Sequence, residues 1–377
     1  MADKKSRQII RQAKQNNPNA IVVATGCYAQ VSKEELEKIE GLNIIIGNTE
    51  KSNIVEIIEK YHKKHIQVGK IEEEKEFKDF GTITYTEKTR AVIKVQDGCN
   101  NFCSYCIIPY ARGRIRSRSM DSVLAEVKEI VKKGIKEIVI TGIHIASYGK
   151  DFENGIRLID LLEKLNNIEG LKRIRLGSLE PNLITEEFVN RLSNVDKICD
   201  HFHLSLQSGC NETLKRMNRK YTTANITEII ERLRNYYKDV IITTDIIVGF
   251  PGETEEEFNK TYEFLKQIKF YKMHIFPYSI RKGTKAAEMP NQVESQEKET
   301  RSKKLIELSN QNQLDYNQKY INQIVEVLIE EDSKGHTANY ILVKVAGVQD
   351  VENKLIKVGI NSAEEEFLKG TLKSIEN

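Results

Sequence analysis

The sequence has no apolar stretch long enough to cross a bilayer; its apolar runs, such as DIIVGF, are far too short. The N-terminus, MADKKSRQII, carries positive charge without the apolar centre of a secretory leader. Net charge is nearly absent as well: 58 Lys and Arg stand against 55 Asp and Glu, leaving +3. A nucleic-acid partner would therefore have to be met by local patches. Cysteine is scarce, with six in 377 residues, and Cys27, Cys199 and Cys210 are scattered, so a disulfide framework is excluded. The expectation is a monomeric, cytoplasmic protein with no membrane contact, in a reducing compartment suited to metal or redox chemistry.

What is present is ample core material, 39% hydrophobic, in a chain long enough for two or three domains. From Arg90 onward, Val- and Ile-rich runs alternate with amphipathic stretches, the mark of βα units around a parallel sheet. Strands are expected at RAVIKVQ (90–96), EIVITGI (137–143), RIRLGSL (173–179), HFHLSLQ (201–207), VIITTDIIVGF (240–250) and KMHIFPYS (272–279). Several intervening helices open on Asp, Ser or Thr followed by Glu, as N-caps do. Six units predict an α/β fold, a partial (βα)6 TIM-like barrel over 90–315, whose chemistry belongs on the loops after the C-terminal strand ends. Residues 1–65 read as an α/β fragment with two strands, AIVVATG and NIIIG, which is too little to stand alone. The charged stretch 66–89 reads as a linker. After a polar helix at about 293–320, alternating segments in 316–377 predict a small antiparallel β-barrel. That tail holds seven Lys and no Arg against ten Asp and Glu, so any grip on RNA would depend on one local face.

The densest chemistry is GCNNFCSYC (98–106), which spaces Cys99, Cys103 and Cys106 as C-x3-C-x2-C directly after the first barrel strand. A zinc site or a buried trio of small side chains is the plainer reading. Zinc needs a fourth ligand at comparable spacing, however, and the nearest histidines are His65 and His144. Three thiolates on a four-iron cluster leave one iron open for a substrate or cofactor.

This spacing and placement resemble the radical S-adenosylmethionine (SAM) superfamily. The resemblance implies a 4Fe-4S cluster on Cys99, Cys103 and Cys106 as the catalytic ligands, with SAM chelated at the open iron and split to a 5′-deoxyadenosyl radical. It also implies cofactor contacts from Gly142 and His144 of TGIH, Glu180 of SLEP, Gln207 and Ser208 of LQSG, and Gly249 of IIVGFPGET. GCNNFCSYCIIPYARGRIRSRS, LKRMNRKYT and VGFPGETEEEF further resemble the methylthiotransferases of the MiaB, MtaB and RimO groups. TGIHIASYG and HFHLSLQSG look most like the MtaB group, which inserts a methylthio group at C2 of N6-threonylcarbamoyladenosine in tRNA. The tail resembles the family's TRAM module.

The same resemblance implies an electron donor such as flavodoxin or ferredoxin, with the sulfur donor left open. It also implies a second 4Fe-4S cluster on three N-terminal cysteines, of which Cys27 in ATGCYAQ is one; the other two would precede Ala2 in a full-length form. A chain starting mid-fold is expected to fall short of sulfur insertion. Alternatives that the resemblance leaves open are a MiaB-type tRNA enzyme, a RimO-type ribosomal-protein enzyme, or a shortened radical SAM form that binds RNA and is unable to insert sulfur. Arg112, Arg114, Arg116 and Arg118 alternate, so an extended segment would turn all four guanidiniums to one side as an RNA phosphate contact.

Overall fold

The computed structural model describes residues 2–61, 63–79, 81 and 89–375. Its centre is a half-barrel of six parallel strands: β4 (Arg90–Asp97), β6 (Glu137–Gly142), β7 (Arg173–Leu176), β8 (His201–Gln207), β9 (Ile241–Val248) and β10 (Lys272–Pro277). The strands β4, β6 and β7 form one ladder and β8, β9 and β10 another, joined through a parallel bridge from Leu179 to Leu204. A two-residue strand, β5 (Arg116–Ser117), pairs antiparallel with the rim end of β4. Each parallel strand is followed by helix, which covers the outer face and explains why the strands read as near-continuous apolar runs. Ile93, Val95, Ile138, Ile140, Phe202 and Leu204 sit in one contiguous core with no exposed surface. Each contributes roughly 1.5–3 kcal/mol by leaving water. The helix at Glu255–Ile268 starts where predicted: Thr254 Oγ1 accepts from Glu257 N at 3.2 Å, and the Glu257 carboxylate accepts from Thr254 N in return.

The N-terminal unit has three parallel strands rather than two, β1 (Val23–Thr25), β2 (Ile44–Ile46) and β3 (His65–Gln67), in that order. The third was missed because all three of its residues are exposed and show no apolar alternation. It also puts sheet where the linker was expected to begin, at 66. Of that linker, residues 80 and 82–88 lie outside the described residues. Its described part is docked: Ile71 is buried, and Asp79 pairs with Arg118 at 2.9 Å. The N-terminal unit sits on the rim formed by the C-terminal strand ends. Its helix Cys27–Val31 packs on Ile108–Arg112, and Asn48 Nδ2 donates to the Ala111 carbonyl at 2.6 Å.

The helix Ser295–Gln318 packs along β10 and leads into a closed five-stranded barrel. Its strands are β11 (Ile324–Ile329), β12 (Lys334–Thr337), β13 (Leu342–Ala346), β14 (Leu355–Ala363) and β15 (Leu368–Ile375). The pairing is antiparallel as expected except between β13 and β15, which run parallel. This small barrel closes the opposite end of the half-barrel. Arg173 reaches Glu326 at 2.6 Å, Arg90 reaches Glu330 at 2.9 Å, and Tyr340 stacks between His201 and His336. Among the described residues, no helix is long and apolar enough to cross a membrane.

Candidate functional site

The loop after β4 carries Cys99, Cys103 and Cys106 onto the rim, and its entry turn admits only glycine. Gly98 has φ +73°, and a Cβ there would lie 1.7 Å from the Arg114 carbonyl oxygen. Asp97 Oδ1 accepts from Gly98 N at 2.8 Å, Gln96 Nε2 donates to the carbonyls of Asp97 and Gly98 at 2.7 Å each, and Cys99 N donates to Gly113 O at 3.0 Å. Farther along, Asn218 Nδ2 donates to Phe102 O at 2.9 Å, and Ser104 Oγ to the Arg216 carbonyl at 2.8 Å. The cysteine loop is thus held from the end of β4 and from the ends of the helices Ile108–Arg112 and Asn211–Arg216.

Burial raises the Cys99 thiol and pushes Cys106 up to about 11, with Cys103 and Cys99 adding to the latter. Burial therefore disfavours the thiolate form of Cys99 and Cys106, whereas bound iron would reverse that balance and release their protons. Among the described residues, no three Cys, His, Asp or Glu side chains converge on one point as a single metal ion requires. A thiol-only set of neighbours with no fourth ligand fits an iron–sulfur cluster with an open corner.

One arginine ties this loop to the rest of the rim. Arg219 Nη1 donates to Cys103 Sγ at 3.2 Å, while its Nη2 donates to Glu180 Oε2 and to the Ser205 carbonyl, both at 2.8 Å. Its Nε donates to the Tyr221 hydroxyl at 2.7 Å. Burial works to raise the Glu180 carboxyl, but His144 and Arg219 outweigh it and hold the group below the usual carboxylate range. His144 stands 3.6 Å from Glu180 and 3.2 Å from Asn101 Nδ2, and its backbone N donates to Gln96 Oε1 at 2.7 Å. Gly142 leaves room for this arrangement, since a Cβ there would meet the Gln96 carbonyl at 2.8 Å. Asn101, Cys103, His144, Glu180 and Arg219 line one side of a cavity of about 520 Å³.

The other expected cofactor contacts are placed elsewhere. Gln207 closes β8 with φ +75° and is buried. Ser208 is fully buried and turned inward, accepting from Cys210 N at 3.2 Å and lying 3.3 Å from Thr261 Oγ1. Gly249 donates its N–H to Glu253 Oε1 at 2.8 Å, and its missing side chain admits Lys298, whose Cγ would be 2.3 Å from a Cβ. The four-arginine face is corrected as well. Arg112 ends a helix, with its Nε 3.3 Å from Cys27 Sγ. Arg116 is buried against the carbonyls of Arg112 and Arg114, and Arg118 is buried between Asp79 and Glu126. Arg114 alone of the four is exposed, with its guanidinium over the Phe102 ring at 4.9 Å.

Cys27 itself is half-buried on the same rim. Near it, Asn48 N donates to Gln30 Oε1 at 2.8 Å, and the side-chain oxygens Asn48 Oδ1, Thr49 Oγ1 and Glu50 Oε2 are buried without a partner among the described residues. Arg112 carries the contact onward to Asp97 Oδ2 at 3.5 Å, beside the cysteine loop. In the sequence, the only signal for Arg219 was its place in LKRMNRKYT.

Residues 93–265 match the Radical SAM superfamily, and residues 1–47 match the uncharacterized protein family UPF0004. The chain is 41% identical over 374 residues to the threonylcarbamoyladenosine tRNA methylthiotransferase MtaB of Bacillus subtilis (strain 168), covering 96% of this chain and 83% of that one. It is 43% identical over 359 residues to the protein of the same name from Aquifex aeolicus (strain VF5), covering 94% and 87%. It is also 38% identical over 374 residues to the tRNA-2-methylthio-N(6)-dimethylallyladenosine synthase of Thermoanaerobacter sp. (strain X514), covering 96% and 79%.

Proposed function

Because the chain belongs to the radical SAM methylthiotransferase family, we propose that it inserts a methylthio group at C2 of N6-threonylcarbamoyladenosine in tRNA, beside the anticodon. The observation that carries this reading is a thiol-only trio on the C-terminal rim of a parallel half-barrel, in a chain similar over nearly its whole length to two relatives bearing that name. Cys99, Cys103 and Cys106 would hold the 4Fe-4S cluster that this superfamily uses. When bound with SAM, the cluster supplies one-electron cleavage of the cofactor's sulfonium, the source of a species able to take hydrogen from an unactivated C–H bond.

The chain's own residues do the positioning. Arg219 fixes Cys103 and Glu180 in one geometry, and Gln96 fixes the turn that presents Cys99. Glu180 stays ionised, which suits the ammonium of an amino-acid ligand. Cys27, half-buried on the rim with Arg112 Nε donating to its sulfur at 3.3 Å, is the candidate for one of the three thiol ligands that a second cluster would take. Arg114 is the candidate RNA contact left at the rim. A small flavodoxin or ferredoxin is the proposed electron donor, with a monomer acting on tRNA in the cytoplasm.

The identity of 38% to a dimethylallyladenosine synthase favours a second reading, with that base as substrate. Nucleosides from the tRNA of a deletion strain separate the two. Loss of the methylthio form of threonylcarbamoyladenosine is expected, and loss of the dimethylallyl form in its place would transfer the assignment.

A further inference from the structure

The cavity beside Cys103 has a second wall that the cluster site does not use. It is built on the loop after β6 and the helices Leu158–Asn166 and Glu186–Leu192. Arg157 Nη1 donates to the carbonyls of Gly149 and Ile156, each at 2.7 Å. That clamp holds the guanidinium over the turn carrying Lys150 and leaves its other nitrogens uncommitted. Asp160 lies close by, but its oxygens serve Arg191 at 2.6 Å and the backbone N–H of Arg157 at 2.6 Å. Arg191 pairs with both Asp160 and Glu163, which leaves one carboxylate charge over, and Arg219 pairs with Glu180. Lys150 and Arg157 make no ion pair among the described residues, and Lys220 bonds only the neutral Asn218 Oδ1. Against these three cations stand Glu187 and the one carboxylate left over at Arg191, so the cavity keeps a small surplus of positive charge.

A positively charged wall suits a carboxylate. On adenine, C2, N1 and N6 share one edge, so a substituent on N6 enters beside the carbon that is modified. A threonylcarbamoyl group carries a free carboxylate at its end, whereas a dimethylallyl group is wholly apolar. Lys150 and Arg157 are both exposed to the cavity, and a clamped arginine fork beside a lysine offers the first a charge-assisted contact that the second cannot make.

We propose that Lys150 and Arg157 form the specificity subsite that reads the carboxylate on the N6 substituent of the substrate base. This rests on the substrate assigned above. The cofactor also bears a carboxylate, and the test distinguishes the two sources.

The experiment uses the full chain, reconstituted anaerobically, and measures binding of anticodon stem-loops carrying threonylcarbamoyladenosine, its threonine methyl ester, or plain adenosine. The unsubstituted protein is expected to bind the free carboxylate about tenfold more tightly than the ester, the usual size of a charge-assisted contact. Lys150→Gln with Arg157→Gln should erase that preference, and Arg157→Lys should restore part of it. Formation of 5′-deoxyadenosine without RNA should stay within about twofold, as expected for groups apart from the cluster. A carboxylate preference that survives both substitutions overturns the proposal alone. Equal affinity of the unsubstituted protein for all three stem-loops overturns it together with the substrate assignment. Loss of cofactor cleavage in each single variant, with RNA preference intact, gives the cations to the cofactor and also overturns it.

Discussion

Two residues in the cluster loop bear more than their size suggests. At Gly98 a left-handed backbone coincides with a carbonyl 1.7 Å from where a Cβ would sit, so Gly98→Ala should cost about 1–3 kcal/mol and displace Cys99. Iron bound per chain after anaerobic reconstitution should fall sharply, while far-ultraviolet circular dichroism stays native. Arg219 is a buried cation shared by Cys103, Glu180, Ser205 and Tyr221. Replacing it with Gln strands the Glu180 carboxylate, at a cost of about 3–5 kcal/mol in a denaturant titration. Arg219→Lys keeps the charge but not the fork and should recover only part. The cysteines were legible because three thiols in eight positions admit few readings. The role of Arg219 was not, because its partner Cys103 lies 116 positions away and no local pattern encodes that distance.

Elements were legible where periodicity was strong and illegible where partners decided the outcome. All six barrel strands fall within a few residues of their predicted spans, since β-branched runs buried on both faces have no other stable use. The segment 112–118 was misread for the opposite reason. Alternation of Arg suggested one exposed face, but Asp97, Asp79 and Glu126 converge on that segment from other elements and draw Arg116 and Arg118 inside. The contact between the two barrels is likewise made of charges that no sequence window pairs. Burial there works to raise the Glu330 carboxyl, yet His336 and Arg90 outweigh it and hold it below its ordinary range. A carboxyl depressed by folding stabilises the native state above its unfolded value, about 4.3, and that stabilisation fades as pH falls through the lower folded value. Glu330→Gln should therefore lower the melting temperature of the small barrel at neutral pH. The difference from the unsubstituted chain should begin to shrink below the unfolded value and close only once pH falls beneath the lower folded one, as read by calorimetry across a pH series.

At the scale of the whole molecule, two caps enclose the half-barrel. The N-terminal unit lies over the reactive rim, and the five-stranded barrel seals the far end. Cys27, Arg112 and Asp97 form a line of contacts from the first cap to the cysteine loop. Residues 1–377 supply one thiol on the cap side of that line, so a polypeptide of these residues is expected to bind one four-iron cluster. Iron and sulfide counts near four per chain fit that expectation, and counts near eight would refute it. Cys103→Ala should abolish 5′-deoxyadenosine formation altogether, because two thiolates cannot hold the cube.

Among the described residues the six parallel strands never close into a ring, for β4 meets only β5 and β6 while β10 meets only β9. An unclosed ladder leaves a lateral slit between its edge strands β4 and β10, bordered on the β10 side by the helix Ser295–Gln318. A looped polynucleotide could lay one base in sideways through such a slit while both of its flanking strands stayed outside, with no free end to thread and no need to melt the stem that presents it.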